Sequence, residues 1–402
     1  MATTVTDEDS LSLSEFVKLP TTVDFQVIYS DRFAAYAKDR PYIHLGTRFA
    51  NDYIVAYTNV NNIQQILQDT GKDFISFFPQ LLSPTDSSTN DASGVTQVLN
   101  QPFVNLSGRG AIIGIVDTGI DYTQPAFKFE DGTTKILNIW DQTIDGPRSE
   151  DLYFGSAYDN AKIDEALNSE NPYSVVPSRD NDGHGTFLAS VAASNEKGEY
   201  IGVAPKSYLM VVKLRRANQF YIDKYLVVPD NENIYSSTDY MLGMKYILDR
   251  SEELNLPIVM LIGMGTNAGA HDGTNLMEEY ISFVSQRAGY AFITAAGNES
   301  NTRHHTQGKI PFNYGTTQIS LRVAEQGTSF AVLIFTNGFD KVSAGVTSPS
   351  GEVVARVPFT SGLQRAYNLV LENTTITIGY SRSSNNDIVV SFSNATQGIW
   401  DT

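Results

Sequence analysis

Apolar and polar positions change rhythm along the chain. From about residue 20 to 83, Phe25–Tyr29, Tyr53–Tyr57 and Phe74–Phe78 read as strands, while Ile63, Ile66 and Leu67 fall at helical spacing, which predicts a small α/β unit. Ser83-Pro-Thr-Asp-Ser-Ser-Thr-Asn-Asp-Ala-Ser-Gly94 then reads as a polar, turn-rich linker. Between about 95 and 313, unbroken apolar runs at Ala111–Val116, Tyr208–Lys213, Ile258–Ile262 and Ala291–Ala295 alternate with helical stretches at Thr186–Ser194, Ser237–Leu254 and Asn275–Arg287. Strands without polar alternation, separated by helices, imply a parallel sheet covered on both faces. Ligands of such sheets bind past the carboxyl ends of the strands, where Asp117, Gly263 and Asn298 all fall. From about Thr316 the runs become short and alternating, at Ile319–Val323, Phe330–Phe335, Val353–Val357, Tyr367–Leu371, Thr375–Tyr380 and Ile388–Phe392, broken by turn signals such as Thr336-Asn-Gly338. This predicts an all-β unit. The chain thus divides at residues 1–92, 93–314 and 315–402, an α/β fold with a β-rich end.

Composition narrows the classes of function. With 402 residues and 41% hydrophobic content, the chain has ample material for a sizeable core. A net charge of −17 argues against nucleic acid and against an anionic membrane surface, both of which would repel it. Zero cysteines exclude thiolate catalysis and thiolate metal sites. No apolar run is long enough to predict a membrane span. The opening Met-Ala-Thr-Thr-Val-Thr-Asp-Glu-Asp9 lacks a basic region and an apolar core, so no secretory signal is expected and synthesis in the cytoplasm follows.

Asp117 and His184 carry the candidate chemistry. Asp117 closes an apolar strand, and His184 stands between two glycines at the start of an apolar helix. A carboxylate at a strand end can hold an imidazole in the tautomer that presents a basic nitrogen, and histidine titrates in the range a general base needs. Asp117-Thr-Gly119 also fits an aspartic protease, but that chemistry needs a second Asp-Thr-Gly or Asp-Ser-Gly, and none exists here. Asp121 and Asp182 read as capping or turn residues. His304 and His305 are adjacent, and His44 and His271 are isolated; no ligand spacing accompanies them, so no metal and no cofactor are expected.

Three blocks, Ile115-Val-Asp-Thr-Gly-Ile-Asp121, Asn181-Asp-Gly-His-Gly-Thr-Phe-Leu-Ala-Ser190 and Ala295-Ala-Gly-Asn298, resemble the aspartate, histidine and oxyanion-asparagine blocks of the subtilisin-like serine proteases, in the family's order. More narrowly, Ile139-Trp-Asp-Gln142, Ala296-Gly-Asn-Glu-Ser-Asn-Thr-Arg-His-His305 and Ser348-Pro-Ser-Gly-Glu352 resemble the spore-germination, Csp-type members. The resemblance implies a subtilisin-like parallel sheet and peptide hydrolysis by an Asp-His-Ser triad, with Asp117, His184 and Asn298 as catalytic residues. It also implies a protein or peptide substrate, activation of a spore cortex-lytic zymogen, and spore association. The N-terminal unit would be a pro-domain bound to the core in cis and released by a cut within about Asp86 to Gly94. A jelly-roll would be inserted between Asn298 and the serine, present here in part. Substrate backbone would pair along Gly263, Met264 and Gly265 and pass Ala296 and Gly297. Here the family's Ser-Leu-Gly reads Gly263-Met-Gly265.

The serine is the weak point of the match. Gly327-Thr-Ser-Phe-Ala331 copies the nucleophile block, but it lacks the following proline, and Ser329 opens an apolar strand where a nucleophile needs an exposed turn entering a helix. Ser329 is therefore rejected, and the nucleophile is expected beyond Thr402. The competing reading is a pseudoprotease acting as a binding or signalling scaffold. For the β-rich end, binding of carbohydrate or protein lacks a distinctive aromatic cluster.

Overall fold

Four antiparallel strands open the fold: β1 (Thr22–Ile28), β2 (His44–Arg48), β3 (Tyr53–Asn59) and β4 (Ser76–Phe77), in the order β2-β3-β1-β4. The computed structural model describes residues 11–66, 69, 74, 76–84, 95, 106–195, 200–227, 233–269, 272–299, 302–311, 315–325, 329–336, 340–360, 362–382 and 386–402. The expected strand at Phe74–Phe78 shrinks to β4, and Leu67 lies outside the described residues, as does the whole stretch Asp86 to Gly94. Strand β2 escapes the periodicity because its HLGTR sequence has little apolar alternation and its pairing with β3 is bulged. The Asp31–Lys38 helix covers one face, started by Ser30, whose Oγ accepts from the Phe33 amide at 3.1 Å. Phe25, Val27, Phe33 and Ile54 form the core beneath it.

The main sheet follows. Its strands are β6 (Ile112–Asp117), β7 (Ile136–Asp141), β8 (Ser156–Asp159), β9 (Tyr208–Lys213), β11 (Ile258–Ile262) and β13 (Tyr290–Thr294), ordered β13-β11-β6-β9-β7-β8. All neighbours run parallel except the antiparallel edge strand β8. Strand β6 is buried throughout and alternates its allegiance: Ile112 and Val116 face one apolar cluster, Ile113 and Ile115 the other. The Ser237–Leu254 helix lies against β6, β9 and β11, and the His184–Ala193 helix against β6 and β9. The long helix keeps the bounds read from its sequence, whereas β7 and β8 carry too many polar positions to show as apolar runs. Among the described residues, no helix is long and apolar enough to cross a membrane. At the other edge, β13 has a neighbour on one side only, and Ile293 on it is 55% exposed; nearby in sequence Phe283 is 43% and Ile310 48% exposed. This flank of the core is open.

Three short strands form a separate sheet: β5 (Leu81–Pro84) lies between β10 (Tyr235–Ser236) and β12 (Met264–Gly265), antiparallel to both. The linker expected from Ser83 onward is corrected here, because Ser83 and Pro84 complete a strand. Leu-Leu-Ser-Pro is too short to show a period, and its partners are remote in sequence.

The C-terminal strands are β14 (Ser320–Val323), β15 (Ser329–Phe335), β16 (Ala344–Thr347), β17 (Val353–Val357), β18 (Gln364–Leu369), β19 (Thr374–Arg382), β20 (Asn386–Ser393) and β21 (Gly398–Asp401). They form two four-stranded sheets, β14-β21-β16-β17 and β15-β20-β19-β18, that share one apolar cluster containing Ile376, Val390, Phe392 and Trp400. The expectation of a partial β unit is corrected by its register: β14 pairs with β21, and Ile319 and Thr402 exchange two backbone hydrogen bonds of 2.8 and 2.9 Å. The chain therefore leaves this unit beside its point of entry.

The N-terminal sheet is fastened to the core by polar contacts as well as packing. Gln26 Nε2 donates to Thr238 Oγ1 at 2.8 Å, Tyr53 OH to Glu279 at 3.0 Å, and the rings of Phe49 and Tyr280 lie 5.1 Å apart. At the centre Asp24 of β1 is buried near Asp239, which Arg215 grips through two hydrogen bonds of 2.8 and 3.0 Å. Burial, and then the Asp239 charge, push the Asp24 carboxyl up to about 6 from 3.8, against the pull of Thr238 and Arg215. Because Asp24 keeps its proton to higher pH folded than unfolded, its stabilising contribution is present below about pH 4 and is lost as pH rises through about 6. Asp24→Asn is therefore expected to gain stability over the parent steadily from about pH 5 to 7, measured by denaturant unfolding at stepped pH. A constant difference across that range contradicts the assignment.

Candidate active site

Two backbone ends meet at the carboxyl edge of the sheet. Asp117 is the last residue of β6, and His184 is the first of its helix, entered through Gly183 in the left-handed region at φ 97°. His184 Nδ1 lies 2.7 Å from Asp117 Oδ1, which also accepts from the Thr118 amide at 2.7 Å. The Asp117 side chain is 0% exposed and that of His184 14%. Burial pushes the Asp117 carboxyl above its ordinary value, and the bonds from His184 and Thr118 pull against that rise. The geometry holds the imidazole by Nδ1, leaving Nε2 on the side away from Asp117, which is the arrangement of a base awaiting a proton.

A second carboxylate, which sequence reasoning passed over, ties the two ends together. Asp180 accepts from Thr118 Oγ1 at 2.9 Å, from the Gly183 amide at 2.9 Å, and from the amide and hydroxyl of Thr186 at 2.9 and 2.6 Å. Thr118 Oγ1 accepts in turn from the Gly185 amide at 2.9 Å. Burial alone would raise Asp180, but these hydrogen bonds, led by Thr186, hold it below the ordinary carboxylate range. Asp180 thus joins the residue after Asp117 to the turn around His184. Its only sequence signal was a polar turn four residues before the histidine. Asp121 and Asp182 act locally as expected: Asp121 accepts from Thr123 and Gln124, and Asp182 accepts from the His184 amide at 3.2 Å. A glycine at 185 is required because a Cβ there would overlap the Gly119 carbonyl oxygen.

Gly263, just past β11, completes the triangle. A Cβ at this position would stand 3.3 Å from Asp117 Oδ2 and 3.4 Å from His184 Cε1, and would overlap Leu188 Cδ1. Leu188, one turn beyond His184 and buried, fills the space a larger residue at 263 would need. Met264 and Gly265 form β12 and pair with the chain's own β5, Pro84 opposite Met264 and Ser83 opposite Gly265. On the other side Leu82 faces Tyr235 and Leu81 faces Ser236, so β10 is a second wall that the sequence did not reveal. Ala296, Gly297 and Asn298 lie in the exposed loop beyond β13, which begins where the Ala295 amide bonds the Ile262 carbonyl at 3.2 Å. Glu299 anchors that loop, accepting from Asn267 Nδ2 at 2.7 Å and lying 3.1 Å from His304 Nδ1. Ser329 belongs elsewhere: it pairs with Ser393 in the C-terminal sheet, and its Oγ accepts from the Asn394 amide at 3.3 Å. Among the described residues no group of three His, Cys, Asp or Glu side chains is placed to hold a metal ion.

The Subtilase family model matches residues 108–401. The PII-type proteinase of Lacticaseibacillus paracasei is 23% identical over 288 residues, covering 69% of this chain and 14% of its own length. Fervidolysin of Fervidobacterium pennivorans is 26% identical over 271 residues, covering 67% of this chain and 31% of its own length. Among solved structures, the Clostridium perfringens CspB protease superposes with a TM-score of 0.64 at 31% identity, covering 78% of this chain and 63% of that one. The chain thus spans less than a third of the curated relatives named here.

The contact between Leu188 and position 263 makes a specific demand. Gly263→Ser is expected to cost about 1–3 kcal/mol, the usual range for overfilling a packed site, in denaturant unfolding. Leu188→Ala in the same chain should recover part of the loss; a Gly263→Ser variant as stable as its parent would show that Leu188 does not set the glycine.

Proposed function

The chain belongs to the subtilase family, and from that premise we propose that it supplies the acid–base half of a serine endopeptidase. The observation that carries this reading is the 2.7 Å contact between His184 Nδ1 and buried Asp117. In the proposed reaction a serine hydroxyl attacks the substrate carbonyl and His184 Nε2 takes its proton. Asp117 keeps the ring in the required tautomer and stabilises the imidazolium that forms. His184 then gives the proton to the leaving amine, and water repeats the sequence on the acyl intermediate. Asn298 donates its side-chain amide to the tetrahedral oxyanion, an interaction of a kind worth about 10²–10³ in rate.

The nucleophile is proposed to be a serine outside these 402 residues. Three features support this: Ser329 is engaged in the C-terminal sheet, the flank at β13 is open, and Ile319 and Thr402 bring the path out of the β unit back to its entry. The N-terminal unit is read as a pro-domain held in cis, removed by a cut within about Asp86 to Gly94. Its contacts through Gln26, Tyr53 and Phe49 support that reading. Activation of a spore cortex-lytic zymogen, with cytoplasmic synthesis and spore association, is the physiological setting proposed. It is supported by the Csp-type sequence blocks and by the 31% identity to the CspB protease. A scaffold with no catalytic role would have no use for an imidazole held by a buried carboxylate.

A fluorophosphonate probe, which labels activated serines, separates the outcomes. The 402-residue chain is expected to stay unlabelled. A chain extended through a downstream Gly-Thr-Ser-x-Ala-x-Pro should label, and His184→Ala in that extended chain should abolish labelling. Labelling of Ser329 in the short chain would overturn the assignment.

A further inference from the structure

The strand in the groove has a well-defined head. Gln80, immediately before β5, has all four of its polar groups engaged. Its amide donates to Ser237 Oγ at 2.8 Å, and its carbonyl accepts from the Ser237 amide at 2.8 Å. Its side-chain oxygen accepts from Asn275 Nδ2 at 2.5 Å, and its side-chain nitrogen donates to the Ala268 carbonyl at 3.2 Å. The partners are fixed in advance. Asn275 Oδ1 is committed to the Met277 amide at the start of the Leu276–Val284 helix, so only its NH₂ faces Gln80. The Ala268 amide is held by Thr266 Oγ1 at 3.1 Å. A fixed donor beside a fixed acceptor selects a primary carboxamide: a carboxylate would satisfy Asn275 but set a second acceptor against the Ala268 carbonyl. A Cβ at Gly269 would come 3.2 Å from Asn275 Nδ2 and 3.4 Å from Gln80 Nε2, so this position must stay small.

The register gives the rest of the segment its meaning. Leu82 is 1% exposed, in the apolar cluster that includes Tyr235, Tyr240 and Met264. Pro84 faces Met264, and the next position along that side of the groove is Gly263, which adjoins His184. An antiparallel partner therefore reaches the histidine one residue after Pro84. The residue that follows in the sequence is Thr85, then Asp86, both outside the described residues.

Resting on the reading of the chain as part of a peptidase, we propose that Gln80–Pro84 occupies the groove as the chain's own substrate. The site reads a glutamine side chain through Asn275 and Ala268, a leucine two residues later and a proline two after that, and cuts between Thr85 and Asp86. In that cut the Thr85 carbonyl carbon passes from the Asp86 nitrogen to a serine oxygen and then to the oxygen of water. His184 carries the serine proton to the Asp86 amine, which leaves as the new N-terminus. Glutamine lies six residues before the cut, so recognition extends well beyond the reacting bond.

Two measurements test this separately from the peptidase reading. In the 402-residue chain, Leu82→Asp is expected to free the groove, seen as faster amide exchange at Tyr235, Ser236 and Gly265. The free peptide Gln-Leu-Leu-Ser-Pro-Thr should restore protection, and versions with Ala or Glu for Gln should bind about tenfold more weakly. If Leu82→Asp does not fold, Gln80→Ala in the intact chain should raise exchange at the Ser237 and Gly265 amides. Equal binding of the three peptides, or exchange unchanged by Gln80→Ala, overturns the glutamine site, whatever the activity. In the serine-containing extended chain, intact mass should show a new N-terminus at Asp86. A cut elsewhere overturns the register while leaving the peptidase standing. A chain that neither cuts nor takes up fluorophosphonate overturns the peptidase reading instead.

Discussion

One hydrogen bond organises this protein: the 2.7 Å contact between a wholly buried carboxylate, Asp117, and the Nδ1 of His184. A buried charge is costly unless it is paired and hydrogen-bonded, and the ring nitrogen and the Thr118 amide meet much of that cost at one oxygen. The other oxygen lies beside Gly263, with Leu188 close by. The contact therefore constrains what surrounds it. The strand must end at Asp117, the helix must begin at His184, and positions 185 and 263 must lack side chains. Asp180 holds these conditions together by bonding both Thr118 and the turn at Gly183 and Thr186. A dyad that must keep its geometry to work is thus supported from several elements, as preorganised sites require.

The same edge of the sheet explains the position of the N-terminal unit. Strand β5 adds to β10 and β12 by backbone hydrogen bonding, a form of recognition that tolerates many sequences, while Leu82 and Gln80 supply side-chain discrimination at two points. The small sheet behind it is held through Gln26, Tyr53 and Phe49, so the strand is presented by a folded body and loses less freedom on docking. Asp24 sits in that interface near Asp239 and Arg215, which makes the attachment sensitive to proton concentration for a reason independent of the catalytic pair.

Much of this was legible in the amino-acid sequence where a residue's role is local. The unbroken Ile112–Val116 run identified a buried parallel strand, the Ser237–Leu254 helix kept its expected bounds, and Asp117 and His184 stood out by context. The family's motifs marked Gly263, Met264 and Gly265, which the fold places beside the histidine and along β5. What escaped were roles made by distant partners. Leu81–Pro84 is too short and too mixed to read as a strand without β10 and β12 beside it. Gln80 and Asn275 are 195 residues apart, and nothing in either neighbourhood announces the other. Asp180 looked like one of several turn aspartates until Thr118 and Thr186 were seen to converge on it. The β-rich end looked open-ended because pairing between its first and last strands has no signature in periodicity.

The central claim, that Asp117 fixes the tautomer of His184, is tested most directly by nitrogen NMR of His184 in the neutral ring. The account predicts that the proton resides on Nδ1, with Nε2 unprotonated, and that Asp117→Asn changes this balance while the fold persists. A neutral ring protonated on Nε2 in the parent chain, or a tautomer indifferent to Asp117→Asn, would contradict it.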